Sequence, residues 1–481
     1  MKTPLFNPSI FREYDIRGIA EQDLSSHFAK HLGRAYASFL GRKRGTGARK
    51  KIAVGRDCRL SGEAYAEALI ESLTAAGLDV VRLGVCPTPL TYFSVFHLGL
   101  DGGIMVTGSH NPSNYNGFKI CVGKDTLHGS DIQELRMLIE AASDTSFESN
   151  PAAKGSVSDL AIIPLYQDYI KKITQPDLRR LKVVLDAGNG TAGTVAPDLF
   201  RSLGIDVIEL YCDLDGRFPN HHPDPTVPAN LKDLVRSVRE NQADFGVAFD
   251  GDSDRIGLVN EKGDILFGDE LMVLLSREVL KNHPGATIIS EVKSSYRLYD
   301  DIRAKGGVGI MWKTGHSLIK AKMKETHAAL AGEMSGHIFF ADRYFGYDDA
   351  IYAAVRVLEI VSNSTQNRLS QLIQDLPKTV STPEIRIDCV ESKKFQLVEE
   401  TKKLLSKEFR KLNDIDGVRV DFENGWGLVR ASNTQPVLVL RFEATTDQEL
   451  NDYRRIVENA LTVAAQNVNH PPIDLHAQAS H

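Results

Sequence analysis

Cysteine is scarce in this chain, and its placement suits no special purpose. Five cysteines (Cys58, Cys86, Cys121, Cys212 and Cys389) are scattered through 481 residues, an odd number with no C-x-x-C pair. Such spacing argues against a disulfide framework and against a zinc site. They read as small half-buried residues in a reducing compartment. Long hydrophobic runs are missing too, for no apolar stretch approaches the ~20 residues that cross a bilayer. The opening MKTPLFNPSIFREYDIRG lacks the apolar core of a secretory signal. A cytoplasmic protein with no membrane partner is the expectation. Nor is there an excess of positive charge. The net charge is −6, so the molecule as a whole offers no basic surface and no nucleic-acid partner is expected. Low-complexity tracts are absent, and 42% hydrophobic with 25% charged residues is the composition of an ordinary globular protein. At this length a single small core does not suffice, and three or four domains are expected.

What the chain does have is alternation of short β-rich runs with helical patterns, which points to α/β layers with largely parallel sheets. Lys51–Asp57, Lys182–Asp186 and Ala286–Glu291 each read as a strand ending in an acidic residue and leading into a helix-like segment. Each is followed by a second strand that runs into a polar loop: GIMVTGSHNP, FGVAFDGDSDR and ALAGEMSGH. The spacing from first loop to second, roughly 40 to 65 residues, suits a βαβ-type unit with insertions. Loops at the C-terminal ends of strands are where α/β sheets usually bind ligands. Linkers are expected at Ser143–Gly155, near Glu261–Gly268 and near Leu376–Pro383. The predicted division is residues 1–154, 155–263 and 264–376 as three related α/β domains with mixed, largely parallel sheets. A C-terminal α+β domain over 377–465 follows, then a polar tail, 466–481, that reads as frayed rather than metal-binding.

The sharpest local pattern is Asp250-Gly-Asp252-Ser-Asp254-Arg255 after the apolar FGVAF. Three carboxylates at alternate positions repel unless a cation or basic groups offset them, and oxygen ligands favour a hard ion, magnesium or calcium. An EF-hand would place Glu261 at its twelfth position, but Arg255 occupies the sixth, where the turn requires glycine. A solvated acidic turn is the plainer alternative. In Thr107-Gly-Ser109-His110-Asn111-Pro112, Gly108 permits a sharp bend at a serine that can act as nucleophile or carry a phosphoryl group. The same residues also make an ordinary turn. Gly332-Glu333-Met334-Ser335-Gly336-His337 sets a carboxylate and a hydroxyl two residues apart, which on an extended loop would face the same way; a glycine-rich turn fits equally. Arg430-Ala-Ser432-Asn433-Thr434-Gln-Pro supplies a guanidinium, hydroxyls, an amide and turn N–H groups suited to phosphate, or a plain strand turn. His221 and His222 lie in a Pro-rich loop, and a hard-cation site does not want imidazole.

In this order the four loops resemble those of the α-D-phosphohexomutase family, in its bacterial phosphomannomutase/phosphoglucomutase branch. FREYDIRG (Phe11–Gly18), FPNHHPDP (Phe218–Pro225) and KTGHSLIK (Lys313–Lys320) extend the resemblance nearly end to end, stopping at the tail. The resemblance implies four domains around a central cleft. It implies reversible phosphoryl transfer between O1 and O6 of mannose and glucose phosphates through phosphorylated Ser109 and a 1,6-bisphosphosugar. One magnesium ion would be held by Asp250, Asp252, Asp254 and the phosphorylated Ser109, and glucose 1,6-bisphosphate or an equivalent would act as activator. Arg17, Arg255, Lys119 and His316 would serve catalysis, with Lys119 and His316 foremost as acid or base. Tyr14, His110, Glu333, Ser335, His337, Arg430, Ser432, Asn433 and Thr434 would bind substrate. The partners implied are small hexose phosphates, met by a monomer or weak homodimer. Phosphoglucosamine mutase is the nearest alternative, usually with another residue at the Met334 position, and a magnesium-dependent phosphatase the next.

Overall fold

The computed structural model describes residues 5–45, 49–141, 154–175, 178–366, 368–433 and 435–475. The linker expected at Ser143–Gly155 lies almost entirely outside the described residues, as do Thr434 and the last six residues of the tail.

Among the described residues four sheets carry the fold, and the first three repeat one motif. In each, the strand ending in an acid (Lys51–Arg56 before Asp57, Lys182–Asp186, Thr287–Glu291) pairs in parallel with the strand that precedes a functional loop. Those strands are Gly102–Val106, Phe245–Phe249 and Leu330–Gly332. Each then turns back into an antiparallel neighbour: Tyr115–Val122, Ile256–Asn260 and Ile338–Phe340. The sheets are therefore mixed, and each functional loop is a hairpin connection at the C-terminal end of a parallel strand. Gly102–Val106 and Phe245–Phe249 are buried throughout, as covered parallel strands are. Val157–Asp159 pairs with Asp79–Val85 at the far edge of the first sheet.

One continuous apolar core runs from Ala53 through Phe245 and Leu271 to Leu369, so the first three sheets share their packing. The helix Ala350–Asn363 is buried over nearly its whole length within it, and the helix Thr88–Leu98 is buried from Thr88 to Val95. The fourth sheet is antiparallel, built on Gly425–Ala431 and Val437–Ala444, and has its own core with the helices Lys394–Leu405 and Asp447–Asn467. That last helix takes in Gln466 and Asn467, and residues 468–475 beyond it are docked rather than frayed. Ile473 and Leu475 pack on the fourth core, and His470 Nε2 accepts from the Val390 amide at 3.0 Å. All five cysteines are free thiols, and burial raises each above its ordinary pKa. No helix among the described residues is long and apolar enough to cross a membrane.

Candidate active site

Ser109 is buried at 1% exposure on the hairpin after Gly102–Val106. Its own backbone takes the left-handed conformation, φ 50°, which a non-glycine residue adopts only under constraint. Gly108 is therefore not the bend. A side chain there would put its Cβ 2.6 Å from the Arg59 guanidinium, so glycine is needed for close approach. Arg59 is fully enclosed and donates to the carbonyls of Ser109 (2.8 Å), Asn111 (2.5 Å), Pro112 (2.5 Å) and Tyr115 (2.8 Å). Asp57 anchors it through Nε at 3.2 Å and also accepts from Thr107 Oγ1 at 2.8 Å and the Gly108 amide at 3.2 Å. The acid at the end of the first strand thus holds the serine loop in shape.

The serine faces the second sheet's loop: its hydroxyl donates to Asp250 Oδ2 at 2.8 Å and lies 3.2 Å from His110 Nδ1. Asp250, Asp252 and Asp254 are fully buried, and one oxygen from each lies within 4.8 Å of the others. Asp250 Oδ1 accepts the amides of Asp254 (3.1 Å) and Arg255 (3.2 Å), which closes the loop on itself. Lys119, buried on the first sheet's Tyr115–Val122, donates to Asp252 Oδ2 at 2.7 Å and to Asp254 Oδ2. Thr88, at the head of the buried helix, donates to Asp252 as well.

Burial, followed by the charges of Asp252 and Asp254, raises Asp250 well above the ordinary carboxylate range. Burial also works against the Asp252 charge, but Lys119 and Thr88 outweigh it and hold that carboxyl low. One ammonium shared by two of the three carboxyl groups leaves the set acidic, and the Oδ1 atoms of Asp252 and Asp254 are buried without a hydrogen bond. An all-oxygen set with this surplus fits a hard divalent cation.

The third sheet's loop closes over this group. Arg255 and His337 form a β-bridge, and the Ile256 amide donates to Gly336 O at 3.0 Å. Arg255 Nε donates to His337 Nε2 at 3.0 Å, while His337 Nδ1 lies 3.1 Å from Asp348 Oδ2. With Nε2 accepting, the ring proton belongs on Nδ1. Asp348 also accepts from Lys320 at 3.0 Å. Asp254, His337 and Asp348 form a second group of metal-binding type, in which His337 Nδ1, Asp254 Oδ1 and Asp348 Oδ2 are buried without a hydrogen bond. His316, first residue of the helix His316–Thr326, stacks on His337 with ring centroids 5.4 Å apart. Burial and then Lys320 push it well below its ordinary pKa.

From His316 the contacts continue outward. Tyr14 meets its ring edge-on at 5.7 Å, donates to Thr314 O at 2.7 Å and accepts from Asn433 Nδ2 at 2.8 Å. Arg430 pairs with Asp416 at 3.0 Å, and Asp416 also accepts the Thr314 amide at 3.0 Å. Ser432 Oγ accepts from the Gln435 amide at 3.2 Å inside the hairpin turn. Arg17 reaches Asn111 Oδ1 at 2.6 Å and pairs with Asp15. Glu333 accepts the Gly315 amide at 2.6 Å, and burial raises its pKa. Of the two forms open to its loop, it takes the turn: Glu333 N to His337 O (2.9 Å) and Gly336 N to Glu333 O (3.0 Å) close it, with Ser335 half-buried at the bend. Thr434 lies outside the described residues. His221 is engaged by both oxygens of Asp186 at 3.1 Å, so it is a structural ring.

The four domain families described as "Phosphoglucomutase/phosphomannomutase" match in order: alpha/beta/alpha domain I over residues 8–145, domain II over 164–263, domain III over 267–380 and the C-terminal domain over 384–460. A phosphomannomutase/phosphoglucomutase of Pseudomonas aeruginosa is 47% identical over 463 residues, 96% of this chain and 97% of that one. The chain belongs to the phosphoglucomutase/phosphomannomutase family. A phosphoglucomutase of Neisseria gonorrhoeae, another member, is 44% identical over 94% of this chain and 97% of its own. A crystal structure of a phosphoglucomutase/phosphomannomutase family protein from Burkholderia thailandensis superposes with a TM-score of 0.88 at 42% identity, covering 97% of this chain and 100% of that one.

Sequence reasoning missed Arg59, Thr88, Asp348 and Asp416, which hold the site together. Asp57 and Glu291 carried a signal as strand-ending acids. Glu291 accepts from Thr314 Oγ1 at 2.6 Å and from the Met334 amide at 3.1 Å, as Asp57 does on the serine loop. Lys320 stands four residues after His316, one helical turn along the same face.

Proposed function

We propose that this phosphohexomutase interconverts the 1- and 6-phosphates of mannose and glucose through phosphorylated Ser109. The observation that carries the assignment is the Ser109 hydroxyl hydrogen-bonded at 2.8 Å to Asp250, the first of three buried carboxylates from another sheet. Asp250, Asp252 and Asp254, with an oxygen of the phosphorylated serine, would hold one magnesium ion. That ion supplies charge neutralisation to a phosphoryl group. Phosphoserine gives its group to the free hydroxyl of a hexose 1-phosphate, forming a 1,6-bisphosphosugar. The intermediate turns end for end and returns its other phosphate to Ser109. Arg17 and Arg255 are cationic partners for the moving group, and His110 adjoins the serine. Lys119 and His316 are the first candidates for moving the hydroxyl proton. His316 stacks on His337, and burial disfavours its charged form.

Glu333 and Ser335 would read sugar hydroxyls, with His337 and Tyr14 beside them. Arg430, Ser432, Asn433 and Thr434 would seat the phosphate that is not reacting. Reading hydroxyls away from C2 admits both C2 epimers. The division at 1–154, 155–263, 264–376 and 377–465 gives one loop to each task. The protein would act in the cytoplasm as a monomer or weak homodimer, activated by glucose 1,6-bisphosphate or an equivalent.

Phosphorus NMR with magnesium and a trace of glucose 1,6-bisphosphate tests this directly. Mannose 1-phosphate and glucose 1-phosphate should convert to their 6-phosphates, with glucosamine 1-phosphate slow, and Ser109→Ala should lower turnover by orders of magnitude. Conversion of glucosamine 1-phosphate alone would place the chain in the neighbouring branch. Free phosphate without any 6-phosphate would make it a phosphatase.

A further inference from the structure

A cavity of about 860 Å³ opens between the first and third sheets' units, on the helix His316–Thr326 and away from the serine. Its walls are Phe96 and the 124–128 hairpin on one side and Ser317, Ala321 and Lys324 of that helix on the other, closed by the 341–347 segment. Ser317, Ala321 and Lys324 recur at four- and three-residue spacing, so they form one stripe of the helix, about a quarter turn from His316. Lys320, one helical turn after His316 on the same face, lines the cavity as well, so the mutase site and this cavity are neighbours on one helix.

The space exists because its floor is built from small residues. Ala321, Ala328, Ala329, Ala341 and Gly346 line it, and a Cβ added at Gly346 would meet only the Ala341 Cβ, at 3.7 Å. Against them stands an aromatic wall. Phe345 and Tyr347 lie in nearly parallel planes, 12° apart, with Tyr347 buried behind, and Phe96 meets each at 5.3 Å. Such a volume, mostly apolar with a few polar groups, is that of a small-molecule site.

The polar groups around it are basic in a molecule whose net charge is −6. Arg343 is paired with Glu359, Lys320 with Asp348, and Asp342 with Arg356. Lys124 and Lys324 then face a single carboxylate, Asp125, which lies 3.0 Å from Lys324. Lys124 extends its ammonium over the Phe96 ring at 5.0 Å. The imidazoles of His128, His283 and His327 lie around the same wall, with His128 Nδ1 3.2 Å from Thr126 O and His283 Nε2 2.9 Å from Asp342 Oδ1.

We infer that this cavity is a second small-molecule site, taking an aromatic anion whose ring lies against Phe96 and Phe345 and whose phosphate, sulfonate or carboxylate meets Lys124 and Lys324. The aromatic body sets it apart from a hexose phosphate, which offers no flat apolar face to these rings. An occupant would sit within one or two helical turns of His316 without entering the sugar cleft.

The test uses the full-length magnesium enzyme and the probe 1-anilinonaphthalene-8-sulfonate, titrated by fluorescence. One saturable site per chain is expected, undisturbed by saturating glucose 1,6-bisphosphate. Affinity should drop at least tenfold in Ala321→Trp, which fills the space, and in the Lys124→Glu/Lys324→Glu double variant, which reverses its charge. Mutase turnover without the dye should stay at the parent level in both, reporting intact folding; should Ala321→Trp lose it, the charge variant alone decides. Equal dye affinity in parent and folded variants, displacement by glucose 1,6-bisphosphate, or no saturable binding would each overturn the assignment.

Discussion

Asp349 lies inside a ring of tyrosines. Its carboxylate accepts the hydroxyls of Tyr166 (2.9 Å) and Tyr344 (2.7 Å) and caps the helix Ala350–Asn363 through the Tyr352 amide at 2.9 Å. Those donors favour the charged form, yet burial outweighs them and raises the carboxyl to about 6. An unfolded aspartate titrates near ~3.9. Between these values the folded chain keeps a proton that the unfolded chain has lost. The group's contribution to stability is thus full below about pH 4, falls as pH rises through 6 and stays low above. Asp349→Asn keeps an acceptor for the tyrosines and the helix amide but removes the titration. Relative to the parent, the variant should gain about 3 kcal/mol between pH 4 and pH 7, from roughly two pKa units at 1.36 kcal/mol each. Thermal unfolding of both proteins across that range measures it, and a constant difference would refute the assignment. Nothing local in the sequence marks Asp349, or Arg59 with its four carbonyls. Their importance comes from elements far apart in the chain, whereas Ser109 stood out because its neighbours are turn formers after an apolar strand.

The hairpin loop is the element that does most here, and its outline was legible. A continuous apolar run, then glycine beside serine or aspartate, marks a buried strand reaching a loop, and all three loops stand where those runs end. The return strands were not legible as antiparallel, because a short buried run has the same composition in either direction. The docking of 468–475 was missed too, since Ile473 and Leu475 are sparse among polar neighbours. Within the acidic hairpin, Lys119 is the countercharge that lets three buried carboxylates coexist. Lys119→Met keeps the stem and removes the ammonium. Breaking one side of a buried pair costs about 3–5 kcal/mol, so in chelator the variant should melt several degrees below the parent. Magnesium should then restore more to the variant than to the parent, since a cation bound only to the folded state stabilises it. Differential scanning calorimetry with and without magnesium reads both effects. Equal magnesium shifts in the two proteins would mean that the cation does not sit among these carboxylates.

Over the whole molecule, the fourth domain meets the third largely through polar contacts. Lys293 pairs with Glu384 at 2.8 Å, Ser295 donates to Glu443 at 2.7 Å and Arg441 to Lys293 O at 2.7 Å, around a small apolar patch of Val292, Trp426 and Leu428. A polar interface of this kind permits relative motion of the domains. The Tyr14 hydroxyl is a latch on that motion, because it joins Thr314 of the third unit and Asn433 of the fourth at once. Burial raises its pKa well above the ordinary tyrosine value, so it remains a donor at any working pH. Tyr14→Phe removes the latch and keeps the ring against His316. A hydrogen bond made equally in the bound ground state and the transition state stabilises both, so its loss raises KM and leaves kcat nearly unchanged. At about 1 kcal/mol for such a bond, KM for glucose 1-phosphate should rise roughly fivefold. Steady-state kinetics distinguishes this from a chemical role: a fall in kcat at constant KM would place the hydroxyl on the reacting groups instead of on the closing domain.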